Sequence, residues 1–232
     1  PRSPAPVNAR TATIKRICGT MLSALAAAAP DRVPAPNSGH LLVMAFGGQR
    51  KNGESFVTGE LLAGGSGAGR GFDGVDAIES DVTNCMNLPA EAMELEAPIR
   101  IRRWSLKTDS GGPGTWRGGL GQIKEYEVLD DVEDSLSFSH RGERHFVPAA
   151  GVNGGAPGAC ARSWITRKDG TTEMIPSKVV TRLAPGDRLV IETAGAGGYG
   201  PPAERDRHAI ERDVADGKIS REAAERVYRR SA

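Results

Sequence analysis

Two aspartates three residues apart, Asp73 and Asp76 in GFDGVD, are followed closely by the run TNCMNLPAEAMELE. That run contributes Asn84, Asn87, Glu91 and Glu94. A carboxylate within hydrogen-bond reach of a substrate can act as a general base. An asparagine amide can orient a planar amide or carboxylate substrate. Asp73, Asp76 and Glu91 are therefore the candidate catalytic groups, and Asn84 and Asn87 are candidates for substrate binding. Arg117 and Arg141 add planar guanidiniums able to hold a phosphate or carboxylate bidentately. Each type also has a plainer use. Asp73 or Asn84 can close an Asx turn, and Glu91 and Glu94, just after Pro89, suit the first turn of a helix. An arginine can serve a structural ion pair.

The histidines offer no metal site. His40 and His208 stand alone, and His140 and His145 are five apart on an expected strand and loop. They lack the i, i+4 spacing of a helical metal pair. Cys18, Cys85 and Cys160 form no CxxC pair, and their odd number argues against a disulfide framework and for a reducing cytoplasm.

Three glycine clusters punctuate the chain: AGGSGAG at 63–69, TDSGGPGTWRGGLGQ at 108–122 and GAGGYG at 195–200. None has the GxxxxGK[ST] pattern of a phosphate loop, and none leads into an amphipathic helix of a βαβ unit. Trp116 and Arg117 make the middle cluster too specific for a flexible tether. Ordered, glycine-lined backbone that passes close to other backbone is the expectation.

Elements must hold these groups in place. Ile14, Ile17, Cys18, Met21, Leu22 and Leu25 make one apolar stripe, so a helix is expected there, with Asn8 as its cap and Pro30 as its end. Beyond it, short alternating pieces stand between Gly, Pro and Asp turns, including Leu136, Phe138 and His140, and Leu189, Ile191 and Thr193. Residues 164–175 read as a hairpin turning at Lys168-Asp169-Gly170. Pro185-Gly186 supplies the central pair of a type II turn. Two short helices are expected at the C-terminus, the second restarting at Ser220. Their mixed charges favour a docking tail over DNA reading.

The fold expected is α+β: a β-rich body of short, mostly antiparallel strands with an N-terminal helix and a C-terminal helical pair. An apolar share of 38% with 25% charged residues fits a folded globular chain. A net charge of +1 without a long basic block argues against a nucleic-acid partner. The longest apolar run, residues 21–29, is too short to span a bilayer, so no membrane partner is expected.

Several blocks in one order carry a resemblance: PVNARTATIKRI, PDRVPA, FGGQ, GGSGAGRGFDGVD, TNCMNLPAE, DSGGPGTWRGGLG and PGDRLVIETAGAGGYG. Together they resemble the hydantoinase B/oxoprolinase family, which includes B-type subunits of ATP-dependent hydantoinases and 5-oxoprolinases and the related acetone and acetophenone carboxylase subunits. The resemblance covers essentially the whole chain, and it is to the C-terminal part of family members. Ala194 and Ala196 interrupt a glycine run that the family commonly keeps unbroken, and Pro201 stands where an Asp is common.

The resemblance implies that residues 1–36 continue a domain from an N-terminal half. Residues 37–98 would then form a glycine-rich, site-like region, 99–200 a β-rich domain and 201–232 a helical tail. It implies a cytoplasmic hetero-oligomer in which an A-type ATPase subunit, carrying ATP, phosphorylates the substrate. A divalent metal would lie in the N-terminal half, supplied by another stretch of polypeptide, with no cofactor bound by this chain alone. The implied activity is opening of a small cyclic amide or imide. The alternatives are ATP-dependent carboxylation of a ketone, and a non-catalytic scaffold role.

Overall fold

Period-two alternation of buried and exposed positions runs through nine strands among the described residues. The computed structural model describes residues 10–39 and 42–228 and pairs these strands into two antiparallel sheets. The expected cap Asn8 and His40 lie outside the described residues. Strands β1 (Leu42–Gln49) and β2 (Ser55–Leu62) form a hairpin that sets Leu42 opposite Leu62. On its other side β1 pairs with β5 (Leu136–Arg141), Phe46 facing Phe138, and β5 pairs with β8 (Lys178–Leu183). The second sheet has the order β3 (Ile99–Leu106), β4 (Gln122–Val128), β9 (Arg188–Glu192), β6 (Arg162–Thr166) and β7 (Thr172–Met174). The first sheet therefore draws strands from both sides of residue 98.

The sheets share one core, in which Phe46 and Phe138 of the first sheet meet Tyr126, Leu189 and Ile191 of the second. The Phe46 ring lies 5.4 Å from Tyr126 and 5.1 Å from Phe138. Helix α2 (Ala90–Glu96) seals part of it with Met93. Inside this apolar layer Glu60 accepts from Tyr126 Oη at 2.5 Å and pairs with Lys124, whose ammonium sits 4.1 Å over the Trp104 ring. The expected hairpin appears as β6 and β7, with Trp164 opposite Met174. The type II turn closes with Asp187 N–H donating to Ala184 O at 3.0 Å, and Gly186 takes φ 88°.

Helix α1 (Arg10–Ala28) forms where the stripe indicates, yet it turns that stripe outward. Ile17 and Leu25 are each 53% exposed, while Lys15 is buried. Lys15 decides the facing, because its Nζ donates to Ser80 O at 2.5 Å and lies 3.6 Å from Glu79. At the other end, α3 (Arg207–Ala215) and α4 (Arg221–Val227) are each capped by a side chain. Asp206 accepts from Ala209 N–H, and Ser220 accepts from Ala223 N–H. Among the described residues no helix is long and apolar enough to cross a membrane.

One end of the two sheets is built differently. Residues 63–69 leave β2, 107–121 join β3 to β4, 142–161 join β5 to β6, and 193–200 leave β9. These segments are extended but form no ladder. They hydrogen-bond to each other, as in Gly119 N–H to Ser66 O at 2.9 Å and Ala196 N–H to Gly119 O at 3.0 Å. Such close backbone approach leaves no room for side chains. A Cβ on Gly67 would stand 1.6 Å from Ala35 O, and one on Gly65 would stand 1.9 Å from Gly119 O. The glycine clusters are ordered backbone packed on backbone.

Candidate functional site

The glycine bundle carries a charged cluster on one flank. Asp73 and Asp76 leave the turn after residues 63–69, Arg117 comes from the 107–121 segment, Arg205 follows the Tyr199-Gly200 corner, and Asp213 and Lys218 come from the C-terminal helices. Arg205 forks onto Asp73, with Nη1 and Nη2 each 2.7 Å from a carboxylate oxygen, and Nη2 also reaches Asp213 at 2.7 Å. Arg117 reaches Asp213 at 3.2 Å and Asp76 at 3.1 Å, and its backbone N–H donates to Asp73 at 2.6 Å. Lys218 completes Asp76 at 3.1 Å, and Leu120 N–H donates to the same carboxylate at 2.9 Å. Three carboxylates thus face three cations. A cleft of about 280 Å³ opens beside them, with Arg212 and Asp216 at its rim.

Electrostatics follows from that saturation. Burial works to raise the Asp73 carboxyl, but the Arg205 hydrogen bonds and charge, with the Arg117 N–H, outweigh it and hold the group below its ordinary value. Burial works to lower the Arg205 guanidinium, and Asp73 and Asp213 together raise it above its ordinary value. Tyr228, buried beside them with its hydroxyl unpartnered, is pushed up to about 12, chiefly by burial. A carboxylate fixed in its ionised form between guanidiniums is a poor proton acceptor and a good anchor.

The expected site residues therefore fall into separate places. Asp73, Asp76 and Arg117 come together in this cluster, where Arg117 is only 2% exposed. Asn84 and Asn87 are exposed in the loop before α2, and Glu91 is exposed in the first turn of α2; none of the three makes a hydrogen bond. Glu94 accepts from Ile101 N–H at 2.8 Å, tying α2 to β3. Arg141 ends β5, opposite Lys178, with its Nε buried and unpartnered. Arg205, Asp213 and Lys218 are cluster members that the residue types alone did not single out. Arg205 stands in the PPAERD run just after the glycine-tyrosine block, and its position there was the available signal. Among the described residues no three His, Cys, Asp or Glu side chains gather to hold a metal ion. The donors needed for the implied divalent metal are therefore not grouped here, and no step is derived through one.

The model of the family described as hydantoinase B/oxoprolinase matches residues 1–202. This chain belongs to the hydantoinase B/oxoprolinase family. It is 40% identical over 230 residues to an uncharacterised protein of Methanocaldococcus jannaschii, covering 99% of this chain and 39% of that one. The crystal structure of the ATP-dependent caprolactamase from Pseudomonas jessenii is similar with a TM-score of 0.83 and 28% identity, over 98% of this chain and 40% of that one. A nucleotide-free acetone carboxylase structure has a TM-score of 0.71 at 21% identity, over 88% of this chain and 31% of that one, a likeness of fold alone. The chain spans about two fifths of the length of the curated relatives it matches.

Proposed function

We propose that this chain is the C-terminal part of a B-type subunit in an ATP-dependent enzyme that opens a cyclic amide or imide. The observation that carries the reading is the end-to-end likeness to the caprolactamase, in family and in fold. In this reading ATP is spent on an A-type partner to activate the amide oxygen, and the B-type subunit directs attack on the activated carbonyl. Within this chain the open loop ahead of α2 supplies the groups free to meet a substrate: Asn84 and Asn87 orient the planar amide, and Glu91 serves as general base. Arg141 offers a guanidinium to a carboxylate or phosphate. Asp73, Asp76 and Arg117 position that loop from below, together with Arg205. The remaining polypeptide of the subunit would cover the outward stripe of α1 and the exposed Ile78, Val82 and Met86. Large apolar side chains left bare in such numbers mark an interface.

The saturation of the charged cluster favours a second reading, in which this portion is scaffold and the chemistry lies elsewhere. Substituting Glu91→Gln in the assembled enzyme separates the two. Its exposed position makes the variant fold normally, and loss of a general base lowers turnover about a hundredfold or more. Unchanged turnover in E91Q, and in N84A and N87A beside it, would leave the scaffold reading standing.

A further inference from the structure

A second cleft, of about 320 Å³, lies between α1 and the segment that follows β5, lined by Arg16, Glu143, Arg144, His145, Phe146 and Lys178. Its charges are unbalanced. Arg16 and Arg144 flank Gly39: a single point above that residue is 2.4 Å from Arg16 Nη2 and 3.3 Å from Arg144 Nε. The two guanidiniums are therefore no further apart than the sum of those distances, and neither pairs with a carboxylate. Arg144 donates both Nη groups to backbone carbonyls, Pro148 O at 3.1 Å and Asn37 O at 3.3 Å, and its Nε is buried without a partner. Lys178 adds a third cation, held only loosely by Glu143 at 3.5 Å and 64% exposed.

The backbone is held for this arrangement. Arg144 takes φ 60°, a left-handed conformation that costs an L-residue on the order of 1 kcal/mol and persists only where the surroundings impose it. Burial and the adjacent Arg16 charge both push the Arg144 guanidinium below its ordinary value, so the pair is repulsive as it stands. An oxyanion between the two would reverse that sign and give the stranded Nε an acceptor. Phe146 at 80% exposure and Val147 at 67% form an apolar lip over the same opening. A bare inorganic ion has no use for such a lip, whereas the carbon body of a small organic acid does.

We infer that this cleft binds the carboxylate or phosphate group of a small organic molecule between Arg16, Arg144 and Lys178, with its carbon body against Phe146. The inference stands on this chain's own side chains and does not depend on the subunit reading above. Isothermal titration at fixed ionic strength tests it, with inorganic phosphate, benzoate and phenyl phosphate as probes. The expected result is one saturable site per chain, with phenyl phosphate or benzoate tighter than inorganic phosphate. Arg16→Gln and Lys178→Gln should each weaken binding about tenfold, while Arg102→Gln on β3 changes nothing. Both R16Q and K178Q alter exposed side chains and keep the fold, so the test survives if Arg144 variants do not fold. Benzoate saturating where phenyl phosphate does not assigns the site to carboxylates, and the reverse assigns it to phosphates. No saturable heat from any probe, or wild-type binding in both R16Q and K178Q, would overturn the site.

Discussion

His140 carries an imidazole into the interior with one nitrogen bare. Its Nε2 lies 3.2 Å from Ser163 Oγ, which is 3.3 Å from His145 Nε2, and His145 Nδ1 faces Glu143 O at 3.2 Å. A carbonyl only accepts, so neutral His145 keeps its proton on Nδ1 and Ser163 donates to Nε2. Ser163 then accepts from His140 Nε2–H, which leaves His140 Nδ1 as a buried lone pair with no donor. Burial, with the His145 and Lys178 charges, lowers His140 to about 4. The unfolded chain titrates near 6.5, so below that pH it binds a proton that the folded chain refuses. Folding stability attributable to His140 is therefore whole above about pH 6.5 and falls by roughly 2–3 kcal/mol as pH drops toward 4. Chemical denaturation across that range should show the loss in the wild type and a shallower one in H140F. Equal slopes would deny the burial cost assigned to this ring. Glycines separate as sharply. Gly67→Ala drives a Cβ into Ala35 O and should abolish folding, whereas Gly19→Ala, with open space around a helical position, should gain roughly 0.5–1 kcal/mol. Thermal melts of the two variants check both signs.

Strand β4 shows at the scale of an element how polarity can mislead. Its burial alternates so that Gln122, Lys124, Tyr126 and Val128 point inward while Ile123 points outward by comparison. An apolar-in rule would set the strand the other way round. Cross-sheet partners decide the facing: Glu60 neutralises Lys124 and receives the Tyr126 hydroxyl. Burial raises the Tyr126 phenol well above its ordinary value, and the Glu60 charge adds to that, so it stays a donor. Glu60→Gln strands a buried ammonium and should cost about 3–5 kcal/mol, while the double change Glu60→Leu with Lys124→Met should cost far less. Denaturant midpoints of the two variants test this, and similar losses in both would contradict it. Features fixed by local chemistry could be read from the chain: the β6–β7 hairpin at Lys168-Asp169-Gly170, the Pro185-Gly186 turn and the Ser220 cap. Features fixed by distant partners could not. The stripe on α1 announced a helix with a face to cover, but Lys15 and the 79–80 backbone chose which face this chain covers itself. The spacing of Asp73 and Asp76 marked a site-like turn, while Arg205 and Asp213, more than a hundred residues away in sequence, determine that those carboxylates are anchors.

Across the whole molecule, the glycine bundle, the charged clamp on the C-terminal helices and the outward apolar faces describe a rigid part made to be joined. Removing one member of the clamp should loosen that junction first. Asp213→Asn leaves the buried Arg117 and Arg205 short of a carboxylate, a loss of about 3–5 kcal/mol. Hydrogen exchange should report it as early opening of α3 and α4, and uniform exchange across the chain would contradict a localised clamp. The central claim is that the chain works within an ATP-dependent assembly acting on a cyclic amide. The most direct measurement is ATP hydrolysis by the assembly purified through this chain, with and without hydantoin, 5-oxoproline or caprolactam. The account expects ATP consumption stimulated by at least one of these rings, in step with ring opening, by a species far larger than the 24.4 kDa of this chain. A lone 24.4 kDa species, or ATP turnover indifferent to every ring, would contradict it.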